Sequence, residues 1–212
     1  LYENRVRKNT LTRSELRRFH YHLRSRFGVA SFARLWLLVE GESEFWLIPQ
    51  IARLMGYEFS LEGIACVEFA QCGLDPLIKV ARDLGIEWHV LTDGDAAGEQ
   101  YGDTAREYLE DGNDAERLTV LTEKDVEHCF RQFGYDHVYK KHSGLKGRQL
   151  AEYSPTKAIQ LAVRKRSKPF LALSRVEAIA KEDSAGIPQA LRDMVHACVN
   201  LSRSAPGRLA NS

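Results

Sequence analysis

No stretch of this sequence reaches the roughly 18 consecutive apolar residues that a membrane-crossing helix needs, so no transmembrane segment is expected. There is no signal-peptide pattern, and the first residue is Leu1 rather than Met; the chain reads as one part of a longer polypeptide. Cysteine is scarce. Cys66, Cys72, Cys129 and Cys198 show neither CxxC spacing nor a paired histidine motif, which argues against zinc and against a disulfide framework. Four buried free thiols in a reducing cytoplasm are the expectation. The seven histidines do not fall at metal-ligand spacing either. His20 and His22 would point to different faces of one helix, and His128, beside Glu127, is expected to be a hydrogen-bonded structural residue. No internal repeat and no low-complexity segment is present.

What is present is a core and a segregated charge. With 212 residues and 44% hydrophobic side chains, the chain can fold as one domain with a helical appendage. The net charge of +1 conceals a partition. Residues 1–34 carry nine Lys or Arg against Glu3 and Glu15, and residues 140–168 carry nine against Glu152 alone. Between them, residues 35–139 hold 22 acidic side chains and seven basic ones. Basic arms around an acidic centre suit phosphates outside and cations inside, although charge runs are also ordinary solvated helix faces.

Residues 10–27 read as a basic helix. Leu35-Trp36-Leu37-Leu38-Val39 is a short continuous apolar run, expected as a strand buried on both faces. A helix opening at Ser43 and closing at Gly56 follows. Then come a strand over 65–69, a helix over 74–84 ended by Gly85, a strand over 87–92, a helix over 96–109 and a strand over 118–121. Such alternation with short loops predicts an α/β fold, a mainly parallel sheet with helices on both faces. Residues 126–133 read as helical, and beyond Gly147 helices are expected over 155–166, 169–181 and 188–201. Trp36, Trp46 and Trp88 are expected in the core. The implied organisation is a basic lead-in over 1–34, a catalytic domain over 35–140, an additional helical segment over 141–205 near the site, and a frayed tail over 206–212.

Three acidic features gather where a parallel sheet places active sites, beyond the carboxyl ends of its strands. Glu40 follows the first strand directly, Gly41 allows a tight turn, and Glu44 lies one helical turn further on. The third strand ends in Thr92-Asp93-Gly94-Asp95, where an extended backbone would aim Asp93 and Asp95 to the same side. Glu123-Lys124-Asp125-Val126-Glu127 follows the fourth strand. Taken singly, a Glu at a helix N-terminus complements the helix dipole, and Asp-Gly-Asp makes a turn. Together they form a cluster of like charges that is expensive without a cation. Oxygen donors with no Cys or His among them favour Mg²⁺ or Mn²⁺.

Leu37-Leu38-Val39-Glu40-Gly41-Glu42-Ser43-Glu44 resembles the first Toprim motif, and Val90-Leu91-Thr92-Asp93-Gly94-Asp95-Ala96-Ala97-Gly98 resembles the second. More closely, residues 35–175 resemble the carboxyl-terminal nuclease region of the OLD (overcoming lysogenization defect) family. The resemblance implies a Toprim-like fold and catalytic residues Glu40, Glu44, Asp93, Asp95, Glu127 and Lys168. All but Lys168 would ligate metal, with Asp125 a further ligand. It also implies DNA as partner and an upstream ABC-type ATPase, since no Walker A pattern occurs in this chain. A homodimer through that upstream part is possible within the family. Toprim topoisomerases and primases often carry a third Asp where this chain has Ala97, and no tyrosine motif for covalent DNA attachment stands out.

These features lead us to expect a phosphodiester hydrolase working with two Mg²⁺ or Mn²⁺ ions, with Lys168 stabilising transition-state charge. Arg17, Arg24, Lys140 and Arg166 would set nucleic-acid affinity. The alternatives are a non-catalytic nucleic-acid-binding module with a structural ion, and a phosphatase using Asp93 as nucleophile.

Overall fold

The computed structural model of the chain describes residues 11–12, 14–15, 30–109, 114–147, 152, 154–181 and 186–205. The expected basic helix over 10–27, with Arg17 and Arg24, lies mainly outside the described residues, as does the tail beyond residue 205. Strand β1 (Leu35–Val39) is buried at all five positions. Leu35, Leu37 and Val39 enter one apolar cluster, and Trp36 and Leu38 enter another. Side chains alternate across a pleat, so a strand apolar at every position must have a packed layer on both faces.

Helix α1 (Glu42–Leu54) follows, then β2 (Ile64–Glu68), α2 (Leu74–Leu84), β3 (Glu87–Thr92), α3 (Ala96–Arg106), a single turn α4 (Asp114–Arg117) and β4 (Leu118–Val120). The four strands are parallel, in the order β2-β1-β3-β4. One face is covered by α1 with the later helices, the other by α2 and α3. Gly73 (φ 91°) opens α2 and Gly85 (φ 64°), left-handed, closes it; glycine takes both conformations without steric penalty. Buried His89 ties β3 to its neighbours, with Nδ1 2.7 Å from the Glu116 carbonyl and Nε2 2.9 Å from Thr119 Oγ1.

The remainder is helical: α5 (Val126–Phe130), a π-helical turn (Arg131–Tyr135), α6 (Asp136–Ser143), α7 (Pro155–Lys165), α8 (Lys168–Ala180) and α9 (Gln189–Ser204). Ser154 and Ser167 cap α7 and α8, each accepting a backbone N–H, and each helix carries a proline in its first turn. Helix α8 lies along α1, and α6 packs on α7. Ala172, Ile179, Leu191, Val195 and Cys198 therefore share a core with β1.

Residues 126–133 are helical as expected, first as α5 and then within the π-helical turn. Two expectations need correction. The helix expected over 96–109 ends at Arg106, and beyond it the Tyr108 hydroxyl donates to Asp75 on α2. Trp46 is not a core residue. It is 42% exposed, because Leu47, Ile48 and Ile51 take the inner face of α1, whereas Trp36 and Trp88 are buried. Of the cysteines, Cys72, Cys129 and Cys198 are buried and Cys66 is half-buried.

The start of α3 is pressed against the end of β3. A Cβ on Gly98 would lie 1.9 Å from the Asp93 carbonyl oxygen, which is backbone and cannot swing aside. At Gly102 the nearest atom is a Val120 side-chain methyl at 3.4 Å. We expect Gly98→Ala to lose about 2–3 kcal/mol in urea denaturation. Gly102→Ala should stay within about 1 kcal/mol, since a better helix former offsets the mild crowding. Equal losses at both positions would contradict this packing.

Candidate metal centre

The sheet reverses its direction of growth at β1. From β1 the chain builds β2 on one side and then β3 on the other, so the loops leaving β1 and β3 diverge and open a crevice at their carboxyl ends. Register aligns those ends: Val39 is level with Glu68 and with Leu91, and Thr92 with Val120. The residues that follow each strand therefore line one edge.

Glu40 is the first residue beyond β1. Glu44, in the first turn of α1, is 5% exposed, and its Oε2 accepts the Gly41 N–H at 3.1 Å, so the carboxylate closes the turn it grew from. A Cβ at Gly41 would sit 3.3 Å from that oxygen and 3.7 Å from Lys168 Nζ, which places the ammonium beside this turn. Gly94 does comparable work at β3. A Cβ there would meet the Leu121 and Glu123 carbonyl oxygens at 2.3 and 2.5 Å, and the Gly94 N–H donates to the Glu123 carbonyl at 2.9 Å. That contact draws the 123–127 segment up to Asp93.

Glu127, 8% exposed, accepts from Ser43 Oγ at 3.0 Å through Oε1, and the same oxygen lies 3.4 Å from Arg175 Nη2. Glu40, Glu44, Asp93, Asp125, Glu127 and Lys168 all line one cleft of about 520 Å³, with Lys124, Arg164 and Glu68 on its walls. Asp95 caps α3, and its charge is felt at Glu40. Its Oδ1 accepts the Ala97 and Gly98 N–H groups, both at 3.0 Å, because the start of α3 leaves those donors unpaired. Asp125 caps α5 in the same way, its Oδ1 accepting the His128 N–H at 2.8 Å and lying 2.6 Å from the His128 ring Nδ1. His128 is thus hydrogen-bonded, as expected.

Electrostatics records the crowding. Burial, then Glu44 and Glu40, push the Asp93 carboxyl up to about 8. Burial and Glu127 push Glu44 up to about 7, against the pull of Arg175 and Lys168. Glu40 is raised by burial and Asp95, opposed by a hydrogen bond from the Asp93 backbone and by Lys168. Among the described residues no three His, Cys, Asp or Glu side chains form a ready-made coordination cage. Glu44, Glu127, Asp95 and Asp125 each turn a carboxylate oxygen to a protein donor. The donor set nonetheless fits a hard divalent cation. It is carboxylate oxygen throughout, and Glu40 Oε2 is buried without a hydrogen-bond partner among the described residues.

Residues 32–95 match the family described as Overcoming lysogenization defect protein-like, TOPRIM domain. They form an OLD-like Toprim domain. The chain also shares the fold of the carboxyl-terminal regions of OLD proteins. That of Burkholderia pseudomallei superposes with TM-score 0.65 at 20% identity, covering 81% of this chain and 99% of the other. That of Xanthomonas campestris pv. campestris gives 0.68 at 16%, covering 83% and 97%. Uncharacterized protein YbjD of Escherichia coli (strain K12) is 39% identical over 204 residues, 94% of this chain; the chain spans 36% of that relative's length.

Beside the Toprim carboxylates stand residues that sequence reading passed over. Ser43 and Arg175 hold Glu127, and Arg164 and Lys124 line the cleft. The available signal for Arg175 was a lone arginine on the apolar side of α8, seven residues after Lys168. Of the residues expected to grip nucleic acid, Lys140 pairs with Asp136 on its own helix and Arg166 lies over the Phe170 ring at 5.1 Å; neither lines the cleft.

Asp93 and Glu44 hold protons more tightly when folded than when unfolded. Their stabilising contribution is full below about pH 4 and is lost as pH rises through about 7 to 8. In EDTA the melting temperature should therefore fall between pH 5.5 and pH 8.5, and Asp93→Asn should flatten that slope. A wild-type profile that rises over this interval by differential scanning fluorimetry would contradict the assignment.

Proposed function

We propose that this Toprim domain is a metal-dependent nuclease that hydrolyses phosphodiester bonds of DNA, working as the nuclease part of a larger ATPase–nuclease. The observation that carries the reading is the set of crowded carboxylates at the switch point, with Lys168 against the Gly41 turn. Glu40 and Asp93 would hold one Mg²⁺ or Mn²⁺ ion, and Glu127, with Asp93 or Asp95, would hold a second. Glu44 joins directly or through a water, with Asp125 a neighbour. Divalent ions held there supply the positive charge that acidifies an attacking water and offsets charge on the leaving oxygen. Lys168 places its ammonium at the lip of the cleft, where it stabilises the extra negative charge of the phosphate in the transition state. Arg164 and Lys124 hold the flanking backbone. Deprotonation of Asp93 and Glu44 accompanies cation binding, so affinity rises with pH.

A preference for DNA, an upstream ABC-type ATPase and a dimer formed through it are part of the same proposal, supported by the resemblance to OLD proteins. An Asp93-nucleophile phosphatase fits less well, because Asp93 follows β3 rather than β1 and Glu40 and Glu44 would have no task.

Supercoiled plasmid incubated with Mg²⁺, Mn²⁺, Ca²⁺ or EDTA tests the reading. We expect nicked or linear product with Mg²⁺ or Mn²⁺. Asp93→Ala should lower the rate by more than about a hundredfold, beyond what loss of an outer-shell partner typically costs. Lys168→Ala should lower kcat about a hundredfold while DNA binding persists. Intact plasmid under every metal, with binding retained, would instead make this a non-catalytic module; turnover of small phosphate monoesters would favour the phosphatase.

A further inference from the structure

Arg175 is the one arginine among the described residues that is wholly buried. Removing an arginine from water is costly unless the guanidinium is paired, so its surroundings should say why it is there. Nε donates to the Leu171 carbonyl at 3.3 Å and Nη1 to the Tyr139 hydroxyl at 3.4 Å. The guanidinium carbon lies 5.9 Å from the ring centroids of both Phe130 and Tyr139. Nη2 has no aligned hydrogen-bond partner among the described residues and faces Glu127 Oε1 at 3.4 Å, an ionic contact. Neutral partners thus hold the group in place, and its third nitrogen is left in ionic contact with Glu127 of the carboxylate cluster. Its charge reaches Glu44 as well.

Lys168 and Arg175 are seven residues apart on α8, two turns, so they share one face of that helix. Lys168 works at the mouth of the cleft and Arg175 beneath its floor. A guanidinium stays charged at any pH a protein survives, and a shell of aromatic rings and a carbonyl fixes its position. It supplies constant positive charge to carboxylates that otherwise repel one another.

We infer that Arg175 is the internal counter-ion of the carboxylate cluster and the positioning residue that holds Glu127 toward the cleft. The inference rests on reading the cluster as a metal site, and concerns what keeps that site assembled before a cation arrives. Without Arg175, Glu127 would be a nearly buried carboxylate beside Glu44 with only the Ser43 hydroxyl to steady it.

The test uses the chain in EDTA at pH 8 and reads melting temperature. Arg175→Met keeps the length and removes the charge; it should lower the midpoint by about 10 °C. Arg175→Lys should recover part of that loss, and Arg175→Met with Glu127→Gln should recover at least half, because no unpaired charge is then buried. If Arg175→Met alone does not fold, folding of the double variant carries the same meaning. Losses that simply add, or a Lys variant no better than Met, would reduce Arg175 to a packing residue and overturn the proposal. Titrating Mn²⁺ separates the two readings. An Mn²⁺-induced rise in wild type that shrinks at least fivefold in Mn²⁺ affinity for Arg175→Met supports Arg175 as the residue that positions Glu127. A coupling between Arg175 and Glu127 without any Mn²⁺ shift in wild type keeps the counter-ion and removes the metal reading. An Mn²⁺ shift with no coupling does the reverse.

Discussion

Mutual repulsion among Glu40, Glu44, Asp93 and Glu127 is the constraint to which the surrounding structure answers. A carboxylate in water is little troubled by a neighbour, but half-burial weakens screening and makes each charge felt by the next. Asp93 and Glu44 meet this by holding protons at pH values where a free carboxylate would have none, most strongly at Asp93. The crowded groups also turn to protein donors: Glu44 to the Gly41 N–H, Glu127 to Ser43. Each of these adjustments lowers the repulsion that the carboxylates exert on one another.

The sheet topology brings the cluster together. With β1 central and β2 and β3 on opposite sides, the carboxyl ends of β1 and β3 open to the same crevice. Glycines then set the distances. Gly94 brings the exit of β4 against the turn after β3, and Gly98 brings α3 against Asp93. Helix α8 completes the centre from the other end of the chain. It is packed along α1, so its two cations are fixed relative to Glu44 by the same apolar contacts that fix the helix.

Much of this was legible in order. The all-apolar run at Leu35–Val39 could satisfy its side chains only as a strand covered on both faces. Glu40 and Asp93, as first residues past apolar strands, could be assigned to the sheet's carboxyl edge. That Asp95 caps α3, its Oδ1 bonded by the N–H groups at the start of that helix, was not read from the sequence. Trp46 shows where local reasoning fails: which residues of α1 face inward depends on the sheet beneath.

The sequence by itself determined the order of strands and helices, their parallel arrangement and the positions of the acidic residues along the chain. Those follow from hydrophobic period, glycine conformation and helix capping, all of which act over a few neighbouring residues. Only the tertiary structure decided which charges meet. Glu127 finds Ser43 and Arg175, and Lys168 finds Gly41, across separations of many residues. Such pairings arise from the packing of α8 on α1 and of the β4 exit on Gly94, contacts between surfaces that no local pattern encodes.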